Sequence, residues 1–123
     1  MSKPNKEQAL QSFWASFNIP AYDESTVPDG AELPYITYSV SINDFKVPVV
    51  MTANIWYKDT SWSDITAKYN EIADAIGIGG KMIPYEEGAI WLYKGSPFAQ
   101  RVRDEDDMIR RIYLNIEAEY IGK

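Results

Sequence analysis

"MIRRIYLNIEAEYI", residues 108–121, decides the fold. In an extended chain Ile112, Leu114, Ile116, Ala118 and Tyr120 point one way, while Arg111, Asn115, Glu117 and Glu119 point the other. A period of two is the signature of a strand with one face in a core and one in water. Just upstream, "KMIPY" (81–85) and "AIWLYK" (89–94) read as two short strands about an "EEG" turn.

Further back the period changes. "SWSDITAKYNEIADAIG" (61–77) lines up Trp62, Ile65, Tyr69, Ile72 and Ile76 on one helical face. Ser61 is the predicted N-cap, with Asp64 three residues on, and Gly77 is the predicted residue just past the end. Before this helix, "YITYSVSI" (35–42) alternates Ile36, Tyr38, Val40 and Ile42 against Thr37, Ser39 and Ser41. "VVMTANIWY" (49–57) alternates in the same way, and "NDFKVP" (43–48) is short enough to join the two as a hairpin, with Pro48 at the strand's start, where no ladder donor is lost.

"IPAYDESTVPDGAELP" (19–34) holds three prolines and an Asp29-Gly30 pair within 16 residues. It reads as an extended loop with a turn, long enough for a small domain to suggest that something else covers it. At the start, "NKEQALQSFWASFN" (5–18) puts Leu10, Phe13, Trp14 and Phe17 on one helical face, a stripe for a core or an interface. The order is helix, hairpin, helix, hairpin, long strand. It predicts one α+β domain over residues 1–123, with an antiparallel-dominated sheet of four to five strands and two helices packed on one face.

Composition narrows the chemistry. With 123 residues, 46% hydrophobic and 24% charged, the chain is neither disordered nor of low complexity. No run approaches the roughly 18 apolar residues of a membrane span, and "MSKPNKEQ" lacks the apolar stretch of a secretory signal, so a cytoplasmic protein off the membrane is expected. Having no cysteine and no histidine removes thiolate chemistry, disulfides, the commonest general base and the commonest zinc ligand. A net charge of -6 argues against a nucleic-acid clamp, which depends on Lys and Arg displacing counterions. It is compatible with lining a passage through which DNA slides without sticking.

"GIGGKM" (77–82) fails as a phosphate loop: Ala75 stands where the first glycine belongs, and Met82 where Ser or Thr belongs. It is a helix cap and turn. The acidic run Asp104, Glu105, Asp106 and Asp107 lacks the calcium-loop pattern, since Met108 and Ile109 fill that loop's fifth and sixth positions. Flanked by Arg101, Arg103, Arg110 and Arg111, it reads as a solvated turn with ion pairs. A metal hydrolase using Asp104, Asp106 and Asp107 is a weaker reading. Adjacent Glu86 and Glu87 on a turn point apart, and nothing converges on them as an acid–base pair. No catalytic residue, cofactor or metal is therefore expected, and the protein reads as non-enzymatic.

The aromatics Trp56, Tyr57, Trp91, Tyr93 and Tyr113 suit core packing and subunit contact better than base stacking, because no basic complement accompanies them. Pro97 and Phe98 on a loop, with Arg101 and Arg103 following on a short strand, look like an anchor with a charged rim. In a ring, Arg101, Arg103 and Arg111 of one copy would meet Asp104 to Asp107 of the next. The alternative is a salt-bridged hairpin within one subunit.

"LPYITYS" (33–39), "IWYKDTSW" (55–62) and "GAIWLYKGSPFAQRVRDEDDMIRRIYLNIEAEY" (88–120) resemble the tail terminators of long-tailed phages and prophages of Gram-positive bacteria, small tail-completion proteins also described as minor capsid or minor tail proteins. The resemblance implies a virion protein at the head-proximal end of the tail, present in the host cytoplasm during assembly. It implies a hexameric ring of identical subunits that stops the growth of the tube, meets the tail tube protein and the head–tail connector protein, and lets DNA through without specific binding. Two other readings stand beside it: a head-side connector or stopper, and a cytoplasmic module that binds a small ligand or peptide on the aromatic sheet face.

Overall fold

The computed structural model describes residues 3–41 and 48–122. In order along the chain they form α1 (Lys6–Ala15), β1 (Ala21–Asp23), a single 3-10 turn (Glu24–Thr26), β2 (Tyr35–Tyr38), β3 (Val49–Lys58), α2 (Ser63–Ile76), β4 (Lys81–Tyr85), β5 (Gly88–Arg103) and β6 (Ile109–Gly122). The predicted end of the first strand at Ile42 and the loop of residues 43–47 lie outside the described residues. Pro48 directly precedes β3, as its missing N–H requires.

β6 is the spine. It pairs antiparallel with β3 from Ile109↔Lys58 to Ala118↔Val49, and with β5 from Arg110↔Arg103 to Gly122↔Gly88. Its alternation is the predicted one: Ile112, Leu114, Ile116, Ala118 and Tyr120 are buried while the residues between them are half-exposed. The inward residues of β3, Met51, Ala53 and Ile55, stand opposite Ile116, Leu114 and Ile112. Buried side chains from both helices join this one cluster. Burial of that apolar layer is the main force holding the sheet to the helices.

The sheet has six strands, in the order β1-β2-β3-β6-β5-β4, rather than four to five. The additional strand is β1, which lies in the stretch read as a loop and pairs parallel with β2. Three residues are too few for a periodic signal, and this pairing depends on β2 being in place. α1 packs against both β1 and β4, the two outermost strands, so the sheet curls around it.

Each helix starts and stops for local reasons. Asn5 Oδ1 accepts from Gln8 N (2.8 Å), and Gln8 Oε1 accepts from Asn5 N (3.0 Å), a reciprocal cap. α1 ends at Ala15, short of the predicted residue 18, yet Phe17 is still buried beyond its end. α2 begins at Ser63 with Trp62 in the cap position, where Ser61 was predicted. Asp59 Oδ1 accepts from Ser61 N (3.0 Å) and Ser61 Oγ accepts from Ser63 N (3.1 Å), so two successive side-chain turns shift the helix start. Gly77, at φ 72, ends it as predicted.

β5 departs most from expectation. Pro97 and Phe98 are not in a loop between elements but inside one 16-residue strand, within a bulge. Lys94 pairs with Ile116 and Ala99 with Leu114, so Gly95, Ser96, Pro97 and Phe98 oppose Asn115 alone. A Cβ at Gly95 would come within 2.8 Å of the Asn115 carbonyl, so only glycine fits where the bulge crosses β6. Three extra residues reverse the strand's parity. Ile90 and Leu92 face the core before the bulge; Ala99 and Arg101 stand opposite core-facing Leu114 and Ile112 after it.

Candidate contact surface

The parity switch turns Arg101 toward α2. Trp62, just ahead of that helix, receives it: the Arg101 guanidinium lies 4.7 Å from the indole centre and that of Arg110 5.4 Å from it. Arg110 is otherwise spent on the backbone. Its Nη1 donates to the carbonyls of Asp107 (2.7 Å) and Ile109 (3.2 Å), and its Nη2 to that of Thr60 (2.7 Å), tying the β5–β6 turn to the start of α2. Arg101 and Arg103 are exposed and have no carboxylate partner among the described residues.

The acidic turn satisfies itself differently from the expected ion pairs. Asp104 Oδ1 accepts from Asp106 N (3.0 Å), and Asp106 Oδ1 accepts from Met108 N (2.8 Å). These are side-chain turns that shape the tip. Among the described residues the only ion pair is Lys68–Glu71 on α2, at 2.5 Å, so the predicted ion-paired turn is corrected to a self-capped one. Glu105 and Asp107 are exposed. Also among the described residues, no group of three or more His, Cys, Asp or Glu side chains is placed to hold a metal ion.

These groups surround two adjoining cavities beside β5. One, about 420 Å³, is bounded by Trp62, Arg101, Arg103, Asp104, Asp107 and Arg110. The other, about 230 Å³, lies between α2 and β5 over Thr66, Tyr69, Ala99 and Ile112, and shares Arg101. Together they form a groove with an apolar half and a charged half.

Two of the sequence-predicted residues sit elsewhere. Phe98 folds back on its own subunit, 5.8 Å from the Tyr69 ring and with the Lys94 ammonium 5.4 Å from its centre. Arg111 lies on the opposite, helix-free face of the sheet. Its Nε donates to Asn54 Oδ1 (2.7 Å) and its guanidinium stacks 4.8 Å from Trp56. The structure thus gathers Arg101, Arg103 and Asp104 to Asp107 at one end of the molecule and separates Phe98 and Arg111 from them.

Sequence reasoning missed Trp62 and Arg110 as parts of this surface. Trp62 reads as one more apolar residue in a helical stripe, and nothing local signals that residues 101 and 110 converge on it. The helix-free face carries its own row: Tyr22 to Tyr35 (5.6 Å), Tyr35 to Trp56 (6.5 Å), then Arg111, with Trp91 and Tyr93 (4.6 Å) farther along β5. Tyr57, grouped with these aromatics in the sequence, packs against the core, one of the two roles expected of them.

No family model matches the chain, and no curated protein does. Among solved structures, it is similar to a chain of a structure described as the virion of a native gene transfer agent particle, with a TM-score of 0.63 and 18% sequence identity over 92% of this chain and 89% of that chain. At that identity the likeness is one of fold, carried over nearly the whole length of both chains.

Proposed function

We propose that this protein is a non-enzymatic structural subunit of a phage or phage-like virion, and more narrowly a tail terminator: a ring, six subunits round, that caps the finished tail tube and joins it to the head. The observation that carries the reading is the shared fold with a chain of a virion particle across 92% of the sequence. The mixed-charge end of the molecule supports it as a seam between copies. Arg101 and Arg103 are exposed without acidic partners among the described residues, and Glu105 and Asp107 are exposed at the same tip, so each copy offers both signs to a neighbour. The net charge of -6 favours passage of DNA over its capture.

Tail length tests this. In lysates of the phage or prophage carrying this gene, its deletion is expected to give overlong tails without heads under the electron microscope. Tails of normal length beside detached or leaking heads would assign the protein to the connector side of the joint. Unaltered virions would discard the structural role and favour a ligand-binding module.

A further inference from the structure

β4 covers β5 only from Gly88 to Leu92, and beyond that point the outer edge of β5 has no strand beside it among the described residues. From Ala99 to Arg103 the strand is regular and paired to β6 residue for residue. Every second residue there must aim its N–H and C=O away from β6, outward in the plane of the sheet. Exposed edges are usually blunted, and the other two edges of this sheet are. β4 carries Pro84, and β1 is three residues long with the Ala21 carbonyl accepting from Gln11 Nε2 (3.0 Å). The Ala99–Arg103 edge, about 16 Å long, has neither device. Its guard is Arg101 and Arg103, which repel cationic strands and leave apolar ones with buried, unpaired charge, but admit carboxylates.

We propose that this edge takes an extended segment of another protein as an added strand, one that carries carboxylates opposite Arg101 and Arg103 and an apolar side chain over Tyr69 and Ile112. Trp62 holds the Arg101 guanidinium in place before the partner arrives, which lowers the ordering cost of the contact. Asp104 and Asp107 stand just past Arg103 and fix the register, because a carboxylate placed opposite them is repelled. The backbone edge supplies affinity, and the groove and the arginines supply selectivity. The inference rests on reading Arg101 and Arg103 as a contact surface and does not require a ring.

The test is amide hydrogen exchange on the full chain, alone and with two probes: a short synthetic peptide Val-Thr-Glu-Thr-Glu-Thr-Val, whose valines and glutamates share one face of a strand, and its counterpart with lysine in place of glutamate. In the free protein, the outward amides between Ala99 and Arg103 are expected to exchange fast while their β6 neighbours exchange slowly. The glutamate peptide should protect them, with roughly a tenfold preference over the lysine peptide that fades as salt is raised. Arg101→Glu/Arg103→Glu should reverse the preference. Arg103→Glu alone, at an exposed side chain, should reduce it if the double variant does not fold. Three results overturn the proposal: no protection by either peptide, equal protection by both, or protection that rises with protein concentration when no peptide is present, which gives the edge to a second copy. Tail length tests the ring separately: the first two results sink the edge and leave the ring untouched, whereas the third sinks the edge by moving Arg101 and Arg103 to the seam between copies.

Discussion

Trp56 and Arg111 face each other across β3 and β6, with the guanidinium 4.8 Å from the indole centre and Arg111 Nε donating to Asn54 Oδ1 at 2.7 Å. Trp56 Nε1 in turn donates to Thr37 Oγ1 (2.9 Å), so one arginine anchors a polar network that spans β2, β3 and β6 on the face without helices. Asn54 and Thr37 are buried despite lying on that face. Arg111 is thus tied into its own subunit, whereas Arg101 and Arg103 are exposed.

Arg111→Ala is expected to destabilise the protein by about 2 kcal/mol, through the lost stack and an Asn54 oxygen left without its donor. Arg111→Lys should recover less than half of this, because an ammonium cannot stack flat and donate sideways at once. Urea unfolding midpoints measure both. A loss below about 0.5 kcal/mol in Arg111→Ala would return the residue to the set available for subunit contact.

Phe98→Ala and Arg103→Glu should separate cleanly. Phe98 packs on Tyr69 against the core, so its truncation is expected to cost about 2 kcal/mol. Arg103 is exposed and without an acidic partner among the described residues, so its reversal should stay within about 0.5 kcal/mol while weakening assembly. Thermal melts report the first effect, and mass measured by light scattering over a concentration series reports the second.

Gly95→Ala tests the bulge. The added methyl meets the Asn115 carbonyl at 2.8 Å and Asn115 Nδ2 at 3.2 Å, so β5 must lift from β6 at that point. The expected cost is about 1–3 kcal/mol, accompanied by faster amide exchange from Gly95 to Ala99. Slow, unchanged exchange there would mean that the bulge absorbs the methyl without strain.

Tyr120 sets an alkaline limit. Burial, with Tyr85 beside it, pushes its phenol from 10.0 up to about 12, and its hydroxyl donates to the Ser41 carbonyl at 2.7 Å. The unfolded chain loses this proton near pH 10. The folded chain keeps it until about pH 12. Between those values the unfolded state binds fewer protons, so stability falls as pH rises, and the full contribution is present below pH 10. Burial likewise raises Tyr38, Tyr57, Tyr85 and Tyr93, which adds to the decline. Tyr120→Phe should cost about 1 kcal/mol at neutral pH through its lost hydrogen bond, yet lose stability less steeply above pH 10. Guanidinium unfolding across that range gives the slope, and an unchanged slope would assign the decline to the other tyrosines.

By itself the sequence determined the elements whose periodicity is local. The alternation of Ile112 to Tyr120 specified β6 and its buried face, and the stripe from Ile65 to Ile76 specified α2 and its inward side, because each pattern needs only a regular backbone and a core to face. The tertiary structure alone decided which segments meet. β1 becomes a strand only beside β2, and the bulge at Gly95–Phe98 reverses the parity that would otherwise turn Arg101 outward. Trp62, far from both in sequence, gathers Arg101 and Arg110. Those outcomes depend on pairing and packing between distant parts of the chain, and no window along the sequence contains both partners.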